Sequence, residues 1–172
     1  MYVTPDQAHN PIVPPERFIG YHVGLDYEIF ASERNKEVPV FAVCSGTILY
    51  SGFAQGYGGL IVQRCMLNNE HVTVLYGHLD HEGLPREDTV VNPGQRIGKL
   101  AAARSQWSDG NRKHLHLGIH RGDTLDVRGY VQHADELKEF LDPREVLPRG
   151  KTGRRVDKFK VIETPPEGTK SS

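Results

Sequence analysis

Residues 59–67, Gly-Leu-Ile-Val-Gln-Arg-Cys-Met-Leu, and 71–76, His-Val-Thr-Val-Leu-Tyr, decide the fold class. Each is a short run of β-branched and aliphatic side chains, bounded by Gly and Asn and too brief for a helix of ordinary length. Outward from them the same texture recurs at 18–29, 38–50, 89–91, 96–100 and 114–120, with Gly, Asn, Pro and Asp between the runs. The pattern predicts a mainly β domain. The Gly-rich stretch 51–59, Ser-Gly-Phe-Ala-Gln-Gly-Tyr-Gly-Gly, lacks the Gly-Lys-Ser/Thr ending and following helix of a phosphate-cradling loop, so it reads as a hairpin turn. Helical periodicity is found once, over 131–141, where Val131, Ala134, Leu137, Phe140 and Leu141 recur at three- and four-residue steps before Asp142-Pro143 closes the run. That helix is expected to cover one side of the sheet.

The length of 172 residues suits one domain. Its expected organisation is a proline-rich, extended segment over 1–17 (Pro5, Pro11, Pro14 and Pro15), a folded domain over 18–148 and a basic, solvated tail over 149–172. The tail carries seven Lys/Arg against three Asp/Glu, yet the whole chain has a formal net charge of -1. A dedicated phosphate binder shows a strong basic excess, so no nucleic-acid partner is expected. No stretch approaches the roughly 20 apolar residues that span a bilayer, and residues 1–15 lack the charged-then-apolar layout of a secretory signal. Cys44 and Cys65 form neither a Cys-x-x-Cys pair nor a disulfide framework; they read as buried strand residues, with a bridge between them as the alternative.

Nine histidines make metal or acid–base chemistry worth testing by spacing. Three clusters stand out: His22-Val-Gly-Leu-Asp26, Tyr76-Gly-His78-Leu79 and His114-Leu-His116. Residues two apart on a strand face the same side about 6.6 Å from each other, so His114 and His116 can serve one site. His22 and Asp26 would lie about 13 Å apart on a flat strand, too far for one ion. Gly24 between them permits a bend that brings imidazole and carboxylate together, and the β-formers around it favour a bent strand over a helix. His and Asp ligands suit zinc, and three of them leave the open position that a catalytic site needs. Spacing does not separate His114 from His116 as ligand and base. Two solvated histidines on the open face of a sheet are the competing reading of His114 and His116.

In order and spacing the three clusters resemble those of the lysostaphin-type, or glycyl-glycine endopeptidase, zinc metallopeptidases of peptidoglycan, which join H-x-x-x-D, Tyr-x-His-Leu and H-x-H segments. The connecting stretches are similar too: the strand leading to Gly46-Thr-Ile, the Gly56-Tyr-Gly hairpin return and Val91-Asn-Pro-Gly-Gln-Arg-Ile-Gly98. The resemblance covers roughly 18–147. It implies antiparallel sheets of the duplicated hybrid motif type, barrel-sandwich-like, with one C-terminal helix. It assigns His22, Asp26 and His116 to one zinc ion per chain, and makes His78 and His114 the catalytic histidines. The implied activity is hydrolysis of peptide bonds in peptidoglycan cross-links or stems through a metal-activated water, outside the cytoplasmic membrane.

The chain departs from the family at 101–113, where a Gly-rich run ending Gly-Pro before H-x-H is replaced by Ala-Ala-Ala-Arg-Ser-Gln-Trp-Ser-Asp-Gly-Asn-Arg-Lys. This bears on substrate preference rather than on the metal. Trp107 and Tyr57 are candidate groove walls, with hairpin packing as the other reading, and Tyr76 is expected beneath His78. His9, His71, His81, His120 and His133 match nothing in the family and read as surface or packing residues. Two alternatives stand beside the endopeptidase: a non-catalytic peptidoglycan-binding or hydrolase-activator module of the same fold, and a zinc peptidase or amidase acting on another peptide.

Overall fold

Alternation of side chains along each strand decides which of them face one side of a sheet and which the other. In the computed structural model, which describes residues 19–147 and the backbone of 2–3 and 160–161, the strands are β1 (Tyr2–Val3), β2 (Gly20–His22), β3 (Leu25–Glu28), β4 (Pro39–Phe41), β5 (Gly46–Ala54), β6 (Gly58–Leu67), β7 (Glu70–Leu79), β8 (Val90–Val91), β9 (Arg96–Lys99), β10 (His114–Arg121), β11 (Tyr130–Val131) and β12 (Lys160–Val161). Seven of them form an antiparallel sheet in the order β12-β3-β10-β7-β6-β5-β8. A three-stranded sheet, β1-β2-β11, and the pair β4-β9 complete a mainly β fold. Apart from the backbone of β1 and β12, the proline-rich segment and the basic tail lie outside the described residues.

The main core lies on one face of the large sheet. Leu115, Leu117 and Ile119 of β10, Val72, Val74 and Tyr76 of β7 and Ile61 and Cys65 of β6 meet Val38, Val40, Ile97 and Leu100 there. Removing this apolar surface from water is the main force holding the sheet against β4 and β9. Its polar members are satisfied. Tyr76 Oη donates to Gln63 Oε1 at 2.8 Å and accepts from Val43 N–H at 3.0 Å, and Gln63 Nε2 donates to the Cys44 carbonyl at 2.7 Å. A smaller cluster, Tyr57, Leu60, Val62 and Leu75, occupies the opposite face. The Gly-rich stretch turns there between β5 and β6, as a hairpin should.

Three expectations change in detail. The run 38–50 is two strands, β4 and β5, in different sheets. Cys44 sits in the bend between them and is bridged to Cys65 of β6, so the pair is a disulfide rather than two free strand thiols. The helical pattern over 131–141 becomes a 3-10 helix, Ala134–Glu139, while the α-helix of the described residues is α1 (Pro143–Val146). The physical reason is tertiary pairing: Phe140 bridges His120, and Leu141 N–H donates to the Ile119 carbonyl at 2.8 Å, which pulls the chain into extended conformation directly after Glu139. Asp142-Pro143 then opens α1 instead of closing a helix, with Asp142 accepting from Arg144 N–H at 2.8 Å and Pro143 in the first turn.

Candidate active site

The site begins at a break in the chain. β2 pairs with β11 and β3 with β10, so the two halves of His22-Val-Gly-Leu-Asp26 belong to different sheets. Gly24 makes the passage at φ +91°, packed so closely on β10 that a Cβ there would lie 2.4 Å from the Leu117 carbonyl oxygen. The expected bend is therefore a crossing between sheets. It brings His22 Nε2 to 3.5 Å from Asp26 Oδ1.

β10 supplies the other side. Its leucines face the core, so His114 and His116 face away from it, and antiparallel register sets Asp26 opposite His116 and Glu28 opposite His114. His116 Nδ1 lies 3.1 Å from Asp26 Oδ1 and 3.0 Å from His22 Nε2. Zinc ligands at about 2.0–2.1 Å in a tetrahedron stand about 3.3–3.4 Å from one another. The three separations, 3.0, 3.1 and 3.5 Å, fit that polygon. His22, Asp26 and His116 are thus a group able to hold such an ion.

His78 reaches the same face by a bulge. β7 pairs Gly77 with Leu60 and Leu79 with Gly59, leaving His78 as the extra residue, at φ +64°. In continuous register His78 would oppose Leu115 and point into the core, since Gly77 opposes His116. The bulge sends it to the other face, where its ring centroid is 4.4 Å from that of His114. Two backbone bonds hold the conformation, His78 N–H to the Tyr57 carbonyl at 3.1 Å and Ala101 N–H to the His78 carbonyl at 2.9 Å. Gly77 beside it leaves the space filled by Tyr57; a Cβ there would lie 2.7 Å from Tyr57 Cδ1.

All five residues line one cavity of about 250 Å³, with Tyr57, Asn111 and Tyr130 among its walls. Burial dominates their electrostatics. It depresses the His22 imidazole to about 3, only partly offset by Asp26. Burial likewise holds His78 well below its ordinary value, with His114 adding to the effect, and lowers His114, where Asp26 opposes it. Burial works against ionisation of Asp26, but His22, His114 and His116 outweigh it and keep the carboxyl well below the usual range. Burial therefore favours neutral imidazoles at His22, His78 and His114 beside the Asp26 carboxylate near neutral pH. His114 Nδ1–H donates to the Arg112 carbonyl at 2.9 Å, which leaves its Nε2 as the basic nitrogen.

Two groups at the site had no prominence in the sequence. Arg112 pairs with Asp26 and Glu28, and Glu28 shares a strand face with Asp26. The signal was present as alternation, since Arg112, His114 and His116 are spaced by two, but an arginine in a polar loop has no distinguishing local pattern. Tyr57 is a cavity wall as expected, whereas Trp107 stacks on His81 and meets Phe53 edge-on instead of lining the cavity. Tyr76 lies in the core across the sheet from His78 and gives it no hydrogen bond; its hydroxyl is used by Gln63 and Val43. His71, His81 and His133 are exposed, His120 packs on Phe140 beside Asp126, and His9 lies outside the described residues.

Comparison with known proteins adds context. The model of peptidase family M23 matches residues 20–127, more than half of the chain. Among solved structures the chain is similar to lysostaphin, at 20% identity and a TM-score of 0.51, covering 84% of this chain and 47% of that one. It is similar to LytU at 20% identity and a TM-score of 0.52, covering 76% and 74%. The chain thus spans about half the length of lysostaphin, and likeness at this identity speaks to the fold. No curated protein matches the chain.

Proposed function

Because the chain belongs to peptidase family M23, we propose that it is a zinc-dependent endopeptidase that hydrolyses peptide bonds of bacterial peptidoglycan, in cross-links or stem peptides. The observation that carries this reading is the convergence of His22 Nε2, Asp26 Oδ1 and His116 Nδ1 at zinc-ligand spacing in the wall of a cavity that also holds two further neutral histidines. These three residues would hold one zinc ion. When bound, zinc supplies Lewis-acid activation of water and polarisation of the scissile carbonyl.

The protein's own groups do the rest. His114, its Nδ1–H engaged by the Arg112 carbonyl, presents Nε2 to take a proton from the attacking water and return it to the leaving amine. His78 has a buried Nδ1 with no protein partner among the described residues and stands beside His114, placed to donate to the oxyanion as it forms. The β5–β6 turn at Gln55–Tyr57 and residues Val127, Gly129 and Tyr130 wall the cavity, with the Tyr57 hydroxyl packed on Gly129. Work on the wall outside the cytoplasmic membrane is supported by the Cys44–Cys65 disulfide, a bond that persists in oxidising compartments.

The test is metal content and hydrolysis measured together, for wild type and His116→Ala, on purified peptidoglycan with product peptides identified by mass. About one zinc per chain and wall-peptide cleavage, both lost in the variant, support the reading and name the bond. Zinc without cleavage would favour another peptide substrate, and absence of zinc would favour a non-catalytic binding or activator module.

A further inference from the structure

The position two residues before His114 carries a partly buried cation, which is unexpected beside a site built to receive another. The Arg112 side chain is 19% exposed. Its Nη2 donates to Asp26 Oδ2 at 3.0 Å and its Nε to Glu28 Oε1 at 2.7 Å. Asp26 and Glu28 stand two apart on β3, so one guanidinium bridges two carboxylates of the same face. The two oxygens of Asp26 are thereby distinguished: Oδ2 is held by Arg112, while Oδ1 is the oxygen 3.1 Å from His116 and 3.5 Å from His22. The backbone of the same residue acts on the second half of the site, since its carbonyl accepts from His114 Nδ1–H.

We propose that Arg112 is a positioning residue of the metal centre. Anchored by Glu28, its guanidinium captures Oδ2 of Asp26 and presents Oδ1 alone to the metal, while its carbonyl fixes the tautomer of His114. The inference rests on the reading in which His22, Asp26 and His116 bind zinc. Paired with Glu28, the charge of Arg112 is neutralised; its removal leaves an extra carboxylate charge that would favour a dication, so weaker zinc binding in its absence reports the lost orientation of Asp26. A carboxylate freed from Arg112 can rotate and bind through either or both oxygens, at the expense of the three-ligand geometry. Groups that orient metal ligands in this way typically change affinity 10- to 100-fold, roughly, when removed.

Zinc affinity of the full chain, measured by competition with a chromophoric chelator, tests this on wild type, Arg112→Ala, Arg112→Lys and Glu28→Gln. Circular dichroism and thermal unfolding of each metal-free protein check the fold. The expected result is zinc binding about 10- to 100-fold weaker in R112A, with R112K and E28Q between it and wild type, because lysine lacks the planar fork that spans two carboxylates. With cobalt in place of zinc, the visible absorption of R112A should fall in intensity as Asp26 becomes bidentate and the coordination number rises. R112A that binds zinc as tightly as wild type, or more tightly, overturns the proposal. If R112A does not fold, wild-type affinity in both R112K and E28Q overturns it. Wild type that binds no zinc defeats the zinc reading and this inference together; zinc bound equally by wild type and folded variants defeats the inference alone.

Discussion

Gly24→Ala should damage stability and metal binding at once, because one backbone crossing controls both. At φ +91° an alanine adopts a left-handed backbone, which costs about 1–2 kcal/mol. Its Cβ would sit 2.4 Å from the Leu117 oxygen and 2.9 Å from Gly118 Cα, whereas an ordinary C···O contact is about 3.3 Å or more. β3 and β10 must therefore separate by roughly 1 Å at this point, an overpacking cost of about 1–3 kcal/mol. The sum, about 2–5 kcal/mol, corresponds to a fall in melting temperature of about 5–15 °C for a domain of this size. Leu117 is the neighbour of His116 and is paired with Leu25, the neighbour of Asp26, so the separation acts on two proposed ligands directly. A metal site tolerates ligand errors of only about 0.2 Å, and zinc affinity should fall at least about tenfold, in line with other disturbances of ligand position. Thermal unfolding in EDTA and a zinc titration, both on G24A and wild type, measure the two effects. A variant melting within about 2 °C of wild type, less than 1 kcal/mol for this size, with unchanged zinc affinity would refute the account of Gly24 as the residue that sets the site.

His114→Ala should lower kcat by about 10²–10⁴-fold, the range of a lost general base, while zinc content stays at the wild-type level; loss of zinc in H114A would mean that His114 and His116 have been assigned the wrong way round. Removing the disulfide by Cys44→Ala with Cys65→Ala opens a link of sequence separation 21, worth about 3 kcal/mol by loop closure; urea unfolding of the double variant within 1 kcal/mol of wild type, roughly, would contradict that origin. For metal-free protein, the folded state keeps His22 neutral down to about 3, and burial lowers His78 and His114 as well. Unfolding then takes up protons between the ordinary histidine value near 6.5 and the depressed folded values, so stability rises with pH through that window and levels above it. Urea midpoints collected from pH 4 to 8, roughly, should show the rise, and a flat profile would contradict the buried neutral cluster.

Much of this was legible in the amino-acid order. Runs of Val, Ile and Leu at 59–67 and 71–76 marked strands because the two-residue alternation of a strand buried on both faces calls for apolar side chains on each, which reads as a short continuous run. The same alternation put His114 and His116 on one side, and Gly24 marked the place where the chain had to turn. The resemblance carried the remaining assignments, the ligands His22 and His116 and the catalytic His78, since no local rule relates residues 22, 78 and 116. Tertiary structure decided what depends on partners distant in the chain. His78 faces the cavity only because β7 slips by one residue against β6, and nothing within Tyr76-Gly-His78 encodes that slip. Arg112 became part of the site through β3, more than eighty residues away in sequence. Cys44 and Cys65 were joined by the turn that brings the start of β5 back to β6, and the periodic run 131–141 lost its α-helix to pairing with β10. The sequence alone determines which face each side chain prefers; register, crossings and bulges decide which faces meet, because they are set by the packing of the whole sheet rather than by neighbours along the chain.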